Sequence, residues 1–377
     1  MASKTALVLS GGGARGAYQV GVLKGLAEIL KKAKVKNPFQ ILSGVSAGAI
    51  NSAKLASEIE NFDVAVEKLV HLWSQMSTEQ VFKTDFLSLN KFSLGLFGQN
   101  KLNALLDTSP LRSLITKNCD FTKIKKNLDQ NLLESLIITA NDYGNSSAVS
   151  FIQSKTSNVS WSESRRHAVL CEIDSEHIMA SSAIPMLFPP IVIQSDYFGD
   201  GCVRNNTPCS PSIRMGANKL FVVGVRNQMS AETNRRSTKS HGKDKGPAQP
   251  SMIRILNTLL NAVLLDAVEQ DVHRIQRING LVELTDAASR KQNNLKKIDA
   301  LCISPSQDIG VIARAHAHHL PLLLRMTIST FGNLDEASEI ISYLLFNPQF
   351  CRKLIEMGYH DALSSETAIH NFFEIGS

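Results

Sequence analysis

Short apolar runs alternate along this chain with longer stretches of helical character, and glycines stand where one gives way to the other. Residues 5–9, Thr-Ala-Leu-Val-Leu, form an unbroken apolar run that stops at a glycine cluster, which predicts a parallel strand buried on both faces. Residues 14–31 follow with helical character. Within them Ala17, Gly21 and Gly25 recur at i, i+4 and i+8 and share one face, which predicts a helix lying close on a sheet. Glycine costs about 1 kcal/mol in a helix interior, so close packing is the reason to keep two of them. Residues 39–42 predict a second strand ending in Ser43-Gly44-Val45-Ser46-Ala47-Gly48, and residues 49–56 a second helix. Strand, glycine turn, helix thus occurs twice in the first 60 residues, the opening of a doubly wound α/β layer structure.

The rest of the pattern is less regular. Residues 62–114 read as helix and loop, with Phe82, Phe86, Phe92 and Phe97 spread through them; a substrate-facing lid and a plain helical insertion both fit. Residues 133–140 and 148–153 predict strands, and residues 177–183 a short helix stopped by Pro185. Residues 191–193 and 197–198 lead into Gly199-Asp200-Gly201, and residues 220–225 predict another buried strand. Residues 226–250 lose their large apolar positions and read as an exposed loop. Beyond it come a long helix over 252–278, a last strand at 300–303, and amphipathic helices at 336–346 and 350–357. On the long helix Met252, Leu256, Leu259, Leu260, Val263 and Val268 form an apolar stripe, expected to pack on the sheet, with a membrane-facing helix as the alternative. The layout is a three-layer α/β/α sheet domain over residues 1–228, an exposed loop over 229–250, and a mainly helical portion over 251–377 packed on the domain.

Composition narrows the class. Apolar residues make up 43% of the 377 and charged ones 20%, as in soluble globular proteins. The formal net charge of +6 is too mild to mark a nucleic-acid binder and is compatible with an anionic membrane surface. The six cysteines are scattered without a CxxC pair, so neither a disulfide framework nor metal-ligand spacing is expected. No apolar run reaches the length of a membrane span, and the N-terminus is too short for the apolar part of a signal peptide. A cytoplasmic or peripheral membrane protein is expected, with export by another kind of signal left open.

Three motifs carry chemistry. Gly11-Gly12-Gly13-Ala14-Arg15-Gly16 lies between a strand and a helix, where successive glycines let N–H groups converge at a helix N-terminus. Such a loop binds phosphate or stabilises an oxyanion. Gly11, Gly13 and Gly16 also fit a dinucleotide fingerprint, but Ser43-Gly44 stands where an acidic ribose ligand is needed. Gly44-Val45-Ser46-Ala47-Gly48 is a GxSxG sequence at a strand-to-helix turn, the setting in which a serine hydroxyl is lifted clear of the backbone. Asp200 is the candidate base for that serine, and burial would raise its basicity.

Together these motifs resemble the patatin-like phospholipase family, in order and spacing. The resemblance includes Ala180-Ser-Ser-Ala-Ile-Pro185 and Phe188-Pro189-Pro190, is strong over residues 5–225, and continues more weakly through Ser342-Tyr-Leu-Leu-Phe346 and residues 354–359. Cys202 stands where the family often has glycine. The resemblance implies a patatin-like α/β/α fold and a lipid acyl hydrolase of phospholipase A or lysophospholipase type. Its nucleophile would be Ser46 and its base Asp200, with no histidine. Amides around Gly12, Gly13 and Ala14 would hold the oxyanion, with Arg15 fixing the loop and Gly44 and Gly48 forming the nucleophile elbow. It implies no cofactor or metal, a membrane lipid or lysolipid substrate, transient membrane-surface contact and no nucleic acid, and leaves a protein activator open.

Rival readings remain at this point. A histidine triad would draw on His241, His273, His316, His318, His319, His360 or His370, all after Asp200 in the chain. His316 and His319 would share a helix face but lack the carboxylate of an HExxH site. A lipid-binding or regulatory module with an unused serine is the non-enzymatic alternative.

Overall fold

The run Thr5–Leu9 forms strand β1, fully covered by its neighbours, at the middle of a sheet. A computed structural model describes residues 3–84, 104–156, 159–163, 165–227, 249–264, 267–293 and 295–375. Strand β1 pairs in parallel with β2 (Ile41–Val45) on one side and with β9 (Lys219–Val223) on the other. β3 (Ser135–Asp142) extends the parallel array beyond β2, and β10 (Asp299–Ile303) extends it beyond β9. These strands are apolar because both faces are covered. Beyond β3 the direction changes: β4 (Ser147–Ser154) runs antiparallel to it, β6 (Arg166–Leu170) parallel to β4, and β5 (Ser162–Glu163) closes that edge.

One detail of register positions the site. β3 is longer than β2, whose last pair is Val45 with Thr139. The next residue of β3, Ala140, pairs instead with Asp200, the last residue of β8 (Asp196–Asp200). β4 occupies the opposite edge of β3 along its whole length, so β8 takes up the edge that β2 vacates. Asp200 therefore arrives where β2 ends and its chain turns at Ser46. β8 is held in turn by β7 (Ile191–Ile193) in a hairpin.

Helices cover both faces. On one lie α1 (Gly16–Lys32), α2 (Ala47–Ser57), α3 (Phe62–Ser74) and the helix Pro348–Ser364, around a core that includes Leu7, Leu9, Leu42, Trp73 and Phe221. The other face packs Ala6, Val8, Ile41, Ile137 and Val222 against Val268, Val272 and Ile275 of the helix Ala267–Leu284. The result is the expected three-layer α/β/α arrangement, with a helical C-terminal portion that also supplies β10.

Several expectations are corrected. The small-residue stripe of α1 does not approach the sheet. Gly21 lies against the backbone of Ile355 and Gly25 against Ala362 and the carbonyl of Tyr359, while Gly358 returns the contact to Tyr18 and Val22. The glycines thus permit a close helix crossing, which sequence spacing alone cannot tell from helix-on-sheet packing. The long helix expected over 252–278 is two, Met252–Leu264 and Ala267–Leu284. The apolar stripe on the first is not core: Met252 is 63% exposed and Leu259 59%, with Leu256 and Val263 also in the open, and only Val268 among the expected stripe is fully buried. His316 and His319 do not share an α-helix, since the helix Ile309–Ala315 ends before them and a 3-10 turn follows. Strands β5 and β6 were not expected from the pattern. Phe86, Phe92, Phe97 and most of the polar loop after Arg226 lie outside the described residues.

Candidate active site

At the end of β2 the chain reverses through Ser46 into α2. Ser46 has φ 55° and ψ −122°, a region that non-glycine residues enter only under constraint from their surroundings. The constraint is visible. Gly44 abuts the carbonyl of Gly48, and Gly48 abuts the carbonyls of Leu9 and Ser10, so neither position has room for a side chain. The Ser46 N–H donates to Ser181 Oγ at 2.9 Å, and Ser181 Oγ donates to the Thr139 carbonyl at 2.6 Å. Ser182 Oγ donates to the Ser46 carbonyl at 3.2 Å. Two serines of the helix Ser175–Ser181 and its cap thus hold both ends of the turn's peptide frame. Sequence reasoning noticed Ala180-Ser-Ser-Ala-Ile-Pro185 but gave its hydroxyls no role.

Asp200 ends β8 with its carboxyl buried; the residue is 1% exposed. Its N–H donates to the Ala183 carbonyl at 2.8 Å, which fixes the backbone. The carboxylate accepts the Cys202 N–H at 2.9 Å, and the Cys202 thiol and the Ser46 hydroxyl beside it favour its charged form. Removal from water outweighs these favourable contacts and pushes its pKa up to about 6. A carboxyl with that value is still ionised at neutral pH yet is a stronger base than a solvated aspartate.

The glycine loop closes the third side. Gly11 stands against Ser46 Cβ and the Cys202 sulfur. Cys202 is half-buried, but its thiol is turned inward, and burial beside Asp200 holds its pKa well above the usual thiol value. Gly13, with φ 56°, lies against the backbone carbonyl of Tyr343 and lines a slot shared with Ser46. The Arg15 N–H returns to the Gly12 carbonyl at 3.1 Å, so the amides of Gly12 and Gly13 head a helical turn, where the first N–H groups have no intrahelical partner. Gly12 packs on Val225 and Ala14 is buried. Arg15 is only 2% exposed and turns away from Ser46. It donates to Ser342 Oγ at 2.8 Å and the Val225 carbonyl at 3.2 Å, pairs with Glu339, and lies over the Tyr343 ring. Gly16 packs under Trp73 and Ala47 rather than near the hydroxyl. The loop is therefore clamped by the helix Ser338–Leu344, more than 300 residues away in sequence.

A family model described as patatin-like phospholipase matches residues 7–213. The chain belongs to the patatin-like phospholipase family. A viral relative, the uncharacterized protein R571 of Acanthamoeba polyphaga mimivirus, is 25% identical over 205 residues. That stretch is 54% of this chain and 59% of the relative, so the chain spans well under two thirds of the relative's length. Among solved structures, human GIVD cytosolic phospholipase A2 aligns with 99% of this chain and 60% of its own, at 11% identity and a TM-score of 0.44. VipD from Legionella pneumophila aligns with 97% of this chain and 67% of its own, at 13% identity and a TM-score of 0.36.

The patatin-like match ends before the helix Ser338–Leu344, so the part of the chain that clamps Arg15 lies outside it. From Ser46 an apolar slot runs between Ile50, Trp73, Val81, Leu111, Phe188 and Phe346. It is narrow, with about 20 Å³ open to a water-sized body. No histidine lines it or the smaller cavity behind Gly11 and Cys202 among the described residues, and His241 lies outside them. Among the described residues no group of three or more His, Cys, Asp or Glu side chains is arranged to hold a metal ion.

Proposed function

We propose that this chain hydrolyses carboxylic esters of membrane lipids or lysolipids through an acyl-Ser46 intermediate, with Asp200 as its base. The observation that carries the reading is a serine at a strained elbow set beside a buried carboxylate of raised pKa, which the Ser46 side chain touches electrostatically. As Ser46 Oγ attacks the ester carbonyl carbon, its proton passes to Asp200, and the carbonyl oxygen becomes an anion. The amides of Gly12 and Gly13, with Ala14 behind them, are the donors proposed for that anion, and a single such donor is worth roughly a hundredfold or more in rate. Collapse expels the alcohol portion of the lipid, which takes the proton back from Asp200. Water then attacks the acyl-serine, gives its proton to Asp200, and the second collapse frees the fatty acid and returns the proton to Ser46.

The slot lined by Trp73, Phe188 and Phe346 supports an acyl chain as the part of the substrate that enters. Its width requires those side chains to move apart on binding. Arg15 is assigned a positioning role, since its partners lie on the side away from Ser46. A fluorophosphonate probe tests the reading. Labelling of the wild-type chain at Ser46, absent in Ser46→Ala, is expected. Equal labelling of both forms would overturn the assignment of the nucleophile, and no labelling of folded wild type in the presence of lipid vesicles would favour a binding module instead.

A further inference from the structure

We propose that the exposed faces of the helices Met252–Leu264 and Leu322–Phe331 form one surface that seats on an anionic lipid bilayer and presents the Ser46 site to it. The observation is a cluster of exposed apolar side chains on two helices that pack on each other. Met252, Ile255, Leu256, Leu259 and Val263 lie at helical spacing on the first helix, and all are exposed. The second helix adds Leu322 at 63% and Met326 at 58% exposure, one turn apart on the same face. The two helices pack on each other and on the turn Leu334–Ala337. Single exposed apolar residues are ordinary, but seven on the exposed faces of two packed helices mark a binding surface.

Charge and position select a bilayer as the occupant. The thirteen residues of the first helix and the ten of the second contain no Asp, Glu or Lys, and each helix carries one arginine, Arg254 and Arg325. The acids nearby sit on the supporting turn and are engaged: Asp335 faces Arg314 at 3.8 Å, and Glu336 accepts a bond from Ser251. Arg325, adjacent to Met326 and three residues from Leu322, is the charge on this face, since Arg254 lies on the far side of its own helix; an apolar surface whose charge is positive matches anionic lipid. Position agrees with charge. The row from Met252 to Val263 is about 17 Å long, and Val263 at its end lines the cavity that also contains Gly11 and Cys202. The same helix is tied to the machinery through Asn257, whose side chain accepts the Ile340 N–H at 3.2 Å, one residue from the Glu339 that pairs with Arg15. No described helix is long and apolar enough to cross a membrane, so the contact is interfacial.

This inference rests on the acyl-hydrolase reading for its purpose but not for its test. The double variant Leu259→Glu/Met326→Glu changes two exposed side chains and leaves Ser46, Asp200 and the glycine loop intact. Co-sedimentation with vesicles of equimolar phosphatidylcholine and phosphatidylglycerol is measured beside hydrolysis of a soluble short-chain ester and gel-filtration size. The variant is expected to lose about tenfold or more in vesicle-bound fraction and to keep its size. It is expected to hydrolyse the soluble ester within about twofold of wild type, as surface changes usually allow. Equal sedimentation of wild type and variant overturns the docking surface while leaving the hydrolase reading untouched. A wild-type dimer that the variant breaks, with no vesicle binding by either, overturns it in favour of a second copy of this chain. Vesicle binding lost in the variant, with no ester hydrolysis by wild type, sustains the surface and sinks the hydrolase reading instead.

Discussion

The Ser46 elbow and the crossing of α1 with the helix Pro348–Ser364 are built from the same device and put it to different ends. In both, glycines let two backbones meet with no space for a Cβ: Gly44 and Gly48 at the elbow, Gly21 and Gly358 at the crossing. At the crossing the close approach lets two helices bury their facing sides and nothing is strained. α1 buries 13 of its 17 residues, which leaves it little freedom except to be core. At the elbow the approach forces Ser46 to a positive φ and brings a carboxylate out of water beside it. The first region repays its glycines in stability, whereas the second spends stability on geometry. Substitutions should therefore separate the two, with fold and activity lost together at the crossing and parting company at the elbow.

The largest stability effect is expected at the crossing. Gly21→Val drives a branched side chain into the Ile355 backbone and should cost about 3 kcal/mol or more in urea unfolding, with activity falling only as the folded fraction falls. At the elbow the sign reverses. Asp200→Asn removes a buried ionisable group and should raise stability by about 2 kcal/mol at pH 8 while abolishing turnover. The folded-state pKa of about 6 lies above the unfolded value of 3.8, so the wild-type carboxyl favours folding below pH 4 and loses that contribution as pH rises through 6. The stability gap between variant and wild type should therefore open between pH 4 and 6 and level off above. Unfolding curves at several pH values read this directly, and a gap that closes as pH rises would contradict the burial of a charged Asp200.

Activity should show the same ionisation. The kcat/KM for a soluble ester should fall tenfold per pH unit as pH drops below about 6, where the base becomes protonated. The smallest effect is expected from Cys202→Ala, which deletes a thiol contact that holds the Asp200 pKa down. The acid limb should move to higher pH with the plateau rate little changed. A limb that stays in place would show that the thiol only fills space against Gly11.

How much of this was legible beforehand follows from where the determining contacts lie. The elbow and the glycine loop are local: an apolar strand, small residues and a helix occur in sequence within a dozen residues, and their geometry is set there. Asp200 was legible only as a motif, since the register that brings it to Ser46 depends on β3 outrunning β2. The partners of Arg15 were not legible, because Glu339 and Ser342 lie over 300 residues away. The serines that frame the elbow had no signal beyond their place in a small-residue stretch. Spacing revealed a small-residue face on α1 and an apolar face on Met252–Leu264 but not what covers them. One proved to face a helix instead of the sheet, and the other to face the open. Strands β5 and β6 escaped because they are partly exposed and at an edge, where alternation is weak.

The central claim is that one hydroxyl and one carboxylate, brought together by that register, cleave lipid esters. Release of fatty acid from a panel of phospholipids and lysophospholipids, with wild type beside Ser46→Ala and Asp200→Asn, tests it most directly. The account predicts release by wild type and a loss of about 10⁴-fold or more in each variant, both still folded. Undiminished release by folded Ser46→Ala or Asp200→Asn would contradict it.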